Sequence, residues 1–117
     1  MEYNLEERTA KFAESIIELS TNIKRNVVTL PLISQLVRAG TSVGANYCEA
    51  NGASSRKDFR NKISICKKEI QETCYWLRII SKSDPSLAPS IVQHADEAHQ
   101  LTLIFTRILA TLDKNTN

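Results

Sequence analysis

Lysine and arginine crowd one stretch of this chain in a pattern suited to phosphates. Eight basic side chains stand between residues 56 and 82: Arg56, Lys57, Arg60, Lys62, Lys67, Lys68, Arg78 and Lys82. Wound as an α-helix at about 100° per residue with Phe59 at zero, all but Lys62 fall between about 60° and 180°. Cations aligned on one flank supply sequence-independent affinity for a nucleic-acid backbone. The competing reading of this ridge is a solvated basic face that keeps the protein soluble. Tyr75 is the one aromatic residue on that flank, so no base-stacking platform of the single-strand type is apparent from the sequence.

The opposite flank of the same segment, near about 240–300°, holds Ile65, Glu69 and Trp76. This mixture reads as a second buried contact, and an oligomer interface is the expectation for it. A further polar feature precedes it. On a helix with Val43 at zero, Gln35, Arg38, Ser42, Asn46 and Glu49 lie between about 220° and 300°, a continuous stripe. A buried stripe of this kind must be fully hydrogen-bonded. It reads either as an interhelical or intersubunit network that sets register, or as a ligand or anion site around Arg38. Within the network reading, Arg38 and Glu49 pair indirectly through Ser42 and Asn46, or each binds a neighbouring helix.

Other candidates for chemistry are weak. His94 and His99 are five residues apart, not the i, i+4 spacing that puts two imidazoles on one helix face for a metal. No P-loop, nucleophile elbow, dinucleotide fingerprint or zinc pattern occurs, and no Glu-x-x-His pair of the di-iron bundles. Cys66 and Cys74 sit eight residues apart on one helical pattern, roughly 12 Å at 1.5 Å per residue, too far to bridge. With Cys48 they read as free thiols of a reducing compartment. No catalytic residue, metal site or cofactor is expected.

Four periodic segments must position these residues. The first runs from about Asn4 to Lys24, with Asn4 and Glu7 as an N-cap box variant. Its Leu5, Thr9, Phe12, Ile16, Leu19 and Ile23 keep 4-3 spacing, a sustained a/d seam. The second starts with Pro31 in its first turn and ends near Ala50, before Asn51-Gly52. Its core stripe is Leu32, Leu36, Val43 and Tyr47. Gly40 and Gly44, each costing about 1 kcal/mol of helix propensity, are explained by close approach of a neighbouring backbone or by a local irregularity. The third follows a Ser55–Asp58 capping box and carries the seam Phe59, Ile63, Cys66, Ile70, Thr73, Leu77 and Ile80. The fourth runs from about Pro89 to Leu112 on Ile91, Ala95, Ala98, Thr102, Phe105, Leu109 and Leu112.

Short connections make sequential helices antiparallel neighbours. The expected fold is all-α: one up-down-up-down four-helix bundle spanning residues 1–117, assembling into a ring-like homo-oligomer. Composition agrees. The 117 residues suit one domain, 42% are hydrophobic, and only 3 Gly and 3 Pro argue against the many turns of a β-sandwich. The net charge of +2 conceals an uneven distribution, since residues 24–82 hold 11 basic and 4 acidic side chains, a local net of +7. No signal peptide or membrane-spanning run is read, so a cytoplasmic protein with no membrane contact is expected.

The run Leu36-Val37-Arg38-Ala39-Gly40-Thr41-Ser42-Val43-Gly44-Ala45-Asn46-Tyr47-Cys48-Glu49-Ala50 resembles the signature of one family. That family comprises the bacterial four-helix-bundle proteins encoded by intervening sequences in 23S ribosomal RNA genes. The resemblance continues through Ser54-Ser55-Arg56-Lys57-Asp58-Phe59, Lys62-Ile63 and the stretch from Lys67 to Leu77. Cys48, Ile70 and Gln71 depart from the usual pattern without disturbing its polar positions. The resemblance implies a homopentameric ring of antiparallel bundles. It also brings in a related protein, the accessory variability protein of diversity-generating retroelements, a basic pentamer that binds nucleic acid and a partner reverse transcriptase. Arg38, Ser42, Asn46 and Glu49 fall on the signature's polar positions, with a structural role implied. The expected function is therefore non-enzymatic: RNA or DNA binding through the ridge, or else an adaptor role toward a protein partner.

Overall fold

The 4-3 apolar spacing is realised as four long α-helices. They are α1 (Leu5–Thr21), α2 (Thr29–Asn51), α3 (Arg56–Ser83) and α4 (Ala88–Lys114), with a 3-10 turn at Pro85–Leu87 before the last. The structure is a computed structural model that describes residues 4–114. No strand occurs among the described residues.

Local chemistry explains the helix ends. At α1 the expected Asn4–Glu7 box does not form. Asn4 takes the left-handed backbone conformation, φ 47°, and its side chain makes no cap bond; its carbonyl simply accepts from the Arg8 amide at 3.0 Å. α1 also stops at Thr21, three residues before the expected Lys24. The break between α1 and α2 is tied by Asn26. Its Oδ1 accepts from the Val28 and Thr29 amides at 2.9 Å each, satisfying donors that a helix N-terminus leaves orphaned. The Thr29 hydroxyl in turn donates to the Lys24 carbonyl at 2.6 Å and accepts from the Asn26 amide at 2.9 Å. α2 thus begins two residues before Pro31, which falls in the first turn, where a missing N–H costs nothing. At α3, Ser55 Oγ accepts from the Asp58 amide at 3.0 Å as the sequence leads one to expect.

The helices pack as sequential antiparallel neighbours. Gly40 of α2 lies against Ile16 and Gly44 against Thr9, so α2 descends where α1 rises. Arg38 meets Glu69 and Glu49 meets Lys62 across α2–α3, and Arg60 meets Asp113 across α3–α4. α1 and α4 close the bundle more sparsely. There Arg8 donates from Nε and Nη2 to the two Glu97 carboxylate oxygens, 2.8 Å each, and from Nη2 to Gln100 Oε1. The result is a rod measuring 50 × 22 × 22 Å.

The core follows the predicted seams in α1 and α3. Leu5, Thr9, Phe12, Ile16, Leu19 and Ile23 are all buried, as are Ile63, Cys66, Ile70, Thr73, Leu77 and Ile80. Phe59, at the end of α3, is half-buried. In α2 the buried arc is wider than the expected stripe. Ile33, Ala39, Gly40 and Ala50 join Leu36 and Val43 inside, whereas Leu32 and Tyr47 are only half-buried. The cause is that α2 packs on α1 and α3 together, and the α1 contact selects its two helical glycines. A Cβ on Gly40 would lie 2.9 Å from Ile16 Cγ2, and one on Gly44 would lie 3.2 Å from Thr9 Oγ1. Close approach, rather than an irregularity, accounts for both glycines, because the helix runs unbroken through them. In α4, Leu101 and Ile104 are buried with Ile91, Ala98 and Phe105, while Ala95, Thr102, Leu109 and Leu112 are half-buried. Buried hydroxyls are spent locally. Thr9, Ser20 and Thr73 donate to the carbonyls of Leu5, Ile16 and Glu69, one turn back.

Candidate nucleic-acid interface

α3 is a 28-residue helix whose seam faces the core, which turns its basic flank toward α4 and solvent. The seven ridge cations do not share one state. Arg60 is held in a two-pronged pair, Nε on Asp113 Oδ1 at 2.6 Å and Nη2 on Oδ2 at 3.0 Å. The hydrogen bonds from Arg60 hold the Asp113 carboxyl below its usual range. Arg56 donates from Nη2 to the Leu112 carbonyl at 3.0 Å, where the last turn of α4 has no helical donor to offer. Around these groups, Arg56, Lys57, Arg60 and Leu112 line a shallow recess of about 350 Å³.

The remaining cations point away from such partners. Lys57, Lys68, Arg78 and Lys82 are exposed and Lys67 is half-buried, and none of the five forms an ion pair among the described residues. Arg78 and Lys82 sit with Ile79, Ser81 and Pro85 around an open recess of about 680 Å³ where α3 turns into α4. The free cations therefore run the length of α3, from Lys57 near its start through Lys67 and Lys68 at its middle to Arg78 and Lys82 at its end.

The polar stripe of α2 lies against the other flank of α3. Arg38 donates from Nη1 to Glu69 Oε2 at 2.9 Å, from Nη2 to Glu72 Oε2, and from Nε to Gln35 Oε1 at 3.2 Å. Trp76 Nε1 donates to the same Glu72 oxygen at 3.0 Å. Glu49 pairs with Lys62 at 2.8 Å, which raises the lysine pKa through that hydrogen bond. Ser42 and Asn46 bond only within α2, to the carbonyls of Arg38 and Ser42 at 2.6 and 2.8 Å. So Arg38 and Glu49 each bind the neighbouring helix rather than each other. Of the residues assigned to an oligomer contact, Glu69 is 8% exposed and engaged by Arg38. Trp76 is half-buried on Glu72, and Ile65 reaches the surface. No buried side-chain nitrogen or oxygen is left without a partner among the described residues.

Three participants were not foreseen from the sequence: Glu72, which joins Arg38 to Trp76, and Asp113 and the Leu112 carbonyl, which hold Arg60 and Arg56. The antiparallel α3–α4 register is the signal for the last two, because it sets the end of α4 beside the start of α3. His94 Nδ1 lies 2.9 Å from the Ser90 carbonyl, and His99 is exposed. Among the described residues no three His, Cys, Asp or Glu side chains cluster as metal ligands do. No helix there is long and apolar enough to cross a membrane.

Fold and surface together define an antiparallel four-helix bundle with a basic flank on its third helix. The sequence model described as 23S rRNA-intervening sequence protein matches residues 2–107, and the chain belongs to that family. A crystal structure at 1.70 Å of a protein of unknown function from the S23 ribosomal protein family, from Bacteroides thetaiotaomicron VPI-5482, is similar to it. The two are 30% identical, the likeness covers 89% of this chain and 96% of that one, and the TM-score is 0.79. No curated protein matches.

Proposed function

We propose that the chain is a non-enzymatic nucleic-acid-binding protein that takes up RNA or DNA backbone on the outward flank of α3. The observation that carries this reading is the row of unpaired cations Lys57, Lys67, Lys68, Arg78 and Lys82. The row spans roughly 38 Å at 1.5 Å rise per residue, long enough to meet several successive phosphates. Their charge is not consumed inside the bundle, so counterion release on binding supplies the affinity. A ring-like homopentamer belongs to the same reading, supported by the resemblance of the α2 signature to the intervening-sequence proteins. Repetition around a ring multiplies a modest single-ridge affinity.

Titrating a generic single-stranded RNA at several salt concentrations tests the binding. The log of the binding constant is expected to fall linearly with log salt, and Lys68→Ala, Arg78→Ala and Lys82→Ala together to flatten the slope by about 2. A salt-independent constant, or no loss in the triple variant, overturns the reading. Light scattering tests the assembly against five times the 13.2 kDa chain mass.

A second reading, an adaptor for another polypeptide, draws on exposed apolar residues. Ile65 is 37% exposed, and Val27, Val28 and Leu30 cluster at the α1–α2 corner with more than half their surface free. Capture of a nuclease-resistant protein partner from native cells, by a chain that itself binds no RNA, favours that reading.

A further inference from the structure

Tyr75 stands on the same outward line of α3 as three of the free lysines. At about 100° per residue, Lys57, Lys68, Tyr75 and Lys82 all project between about 140° and 180° from the buried seam. Lys68 and Lys82 are seven residues to either side of Tyr75, about 10.5 Å each way, and Arg78 is one turn further along. Tyr75 is 54% exposed.

The ring is also braced. It meets Trp76 in an edge arrangement, with centroids 5.0 Å apart and planes at 73°. Such a pair covers at most one face of the phenol, which leaves the other open. Trp76 is itself anchored, its Nε1 on Glu72, and Glu72 is gripped by Arg38 of α2. The support for the exposed ring therefore extends across two helices. A rigid aromatic with an open face, flanked symmetrically by unpaired cations, matches what a single strand needs: a surface on which a base stacks, and charges for the phosphates on either side. Along an undistorted duplex the ring finds no open base face, because the bases are already stacked on one another.

We propose that Tyr75 is a base-stacking residue and that the ligand of the α3 ridge is an unpaired nucleic-acid strand rather than a duplex. This rests on the reading of α3 as a nucleic-acid surface. It makes the single aromatic of the ridge the element that selects strand form, while the cations supply affinity.

The test is fluorescence anisotropy on the full chain with three probes: a 20-nucleotide oligoadenylate, its deoxy counterpart and a 20-base-pair RNA duplex. Tyr75→Ala is expected to weaken single-strand binding about tenfold while leaving the salt slope and duplex binding unchanged. Tyr75→Phe, which keeps the ring, is expected to bind as the unaltered chain does. A loss on either sugar supports the proposal, and the sugar with the larger loss identifies the ligand. Unchanged single-strand binding in Tyr75→Ala, or an equal loss on the duplex, overturns it. So does a change in assembly mass in Tyr75→Ala, which would place the ring in a subunit contact. The Lys68, Arg78 and Lys82 variant separates the two ideas: no loss there removes the ridge itself, whereas loss there with an indifferent Tyr75→Ala removes only the stacking role.

Discussion

Burial drives the three thiols of this chain apart. Cys66 is fully buried on α3, with Sγ 3.5 Å from the Val43 carbonyl, and burial pushes its pKa up to about 12. Cys74, half-buried, is also raised by burial, and Cys48 is exposed. A thiol reagent at neutral pH is therefore expected to modify Cys48 quickly, Cys74 slowly and Cys66 only on unfolding; mass spectrometry of the labelled chain checks this order. The same burial sets an alkaline limit. Unfolded, Cys66 ionises near its ordinary 9.0, whereas folded it stays neutral to about 12. Its contribution to stability is thus complete below pH 9 and shrinks as pH rises toward 12, by up to about 1.4 kcal/mol per pH unit. Urea midpoints at about pH 8 and about pH 10.5 should differ less in Cys66→Ala than in the unaltered chain. Arg38 supports a buried carboxylate on the neighbouring helix. Its removal strands the Glu69 carboxylate, whose side chain is only 10% exposed. Arg38→Ala is expected to cost about 1–3 kcal/mol by denaturant unfolding, with Glu69→Gln in the same chain recovering part of it. Equal stability of the single variant and the unaltered chain would mean that water takes the place of the guanidinium.

At the scale of elements, the α1–α2 contact depends on absent side chains. Gly40→Ala gains about 1 kcal/mol of helix propensity but drives a Cβ to 2.9 Å from Ile16 Cγ2, and overpacking costs about 1–3 kcal/mol. Ile16 Cβ lies within 3.2 Å as well, so the neighbour has little freedom to yield. Net destabilisation is expected at Gly40. At Gly44, where the nearest contacts are 3.2 and 3.4 Å, a near-neutral change is expected. Thermal melts of both variants measure the contrast, and equal melting points would show that α1 shifts freely. At the other end of the bundle, the last turn of α4 covers the first turns of the basic ridge. Asp113→Asn is expected to release Arg60 and steepen the salt dependence of single-strand binding by about 0.7, the share of one added cation. An unchanged slope would mean that Arg60 is unreachable for phosphate even when free. Because Arg60 lowers the Asp113 pKa, this pair contributes above the ordinary carboxylate range and is lost only as pH falls through the lowered value.

Across the whole molecule, four helices joined by short connections form a rod whose first and last helices meet least. The Arg8 fork on Glu97, with its branch to Gln100, is the main polar tie across that seam. Arg8→Ala is expected to lower stability by about 1 kcal/mol and to raise amide exchange in α1 more than in α2 or α3. Uniform exchange across the helices would mean that the apolar seam alone sets the cohesion of the bundle. A 22 Å wide rod with apolar residues at its surface offers faces that a second copy can cover.

The helix count, the antiparallel order and the α1 and α3 seams were legible in the sequence, because 4-3 spacing of large apolar residues is a local property of the chain. The basic flank of α3 was legible for the same reason: one helix wheel places all its cations. Several things depended on a second helix. The α2 core arc widened onto Gly40 because α1 approaches there, and no residue of α2 alone encodes its neighbour's distance. Asn26 moved the start of α2 through side-chain bonds that a propensity reading does not contain. The helix wheel placed Arg56 and Arg60 with the other ridge cations. Only the α3–α4 register brought Asp113 and the Leu112 carbonyl to them. The same holds for Tyr75, whose position on the ridge is sequence, but whose bracing through Trp76, Glu72 and Arg38 is tertiary. Charge and periodicity belong to single helices; which charges remain free is decided by where the helices meet.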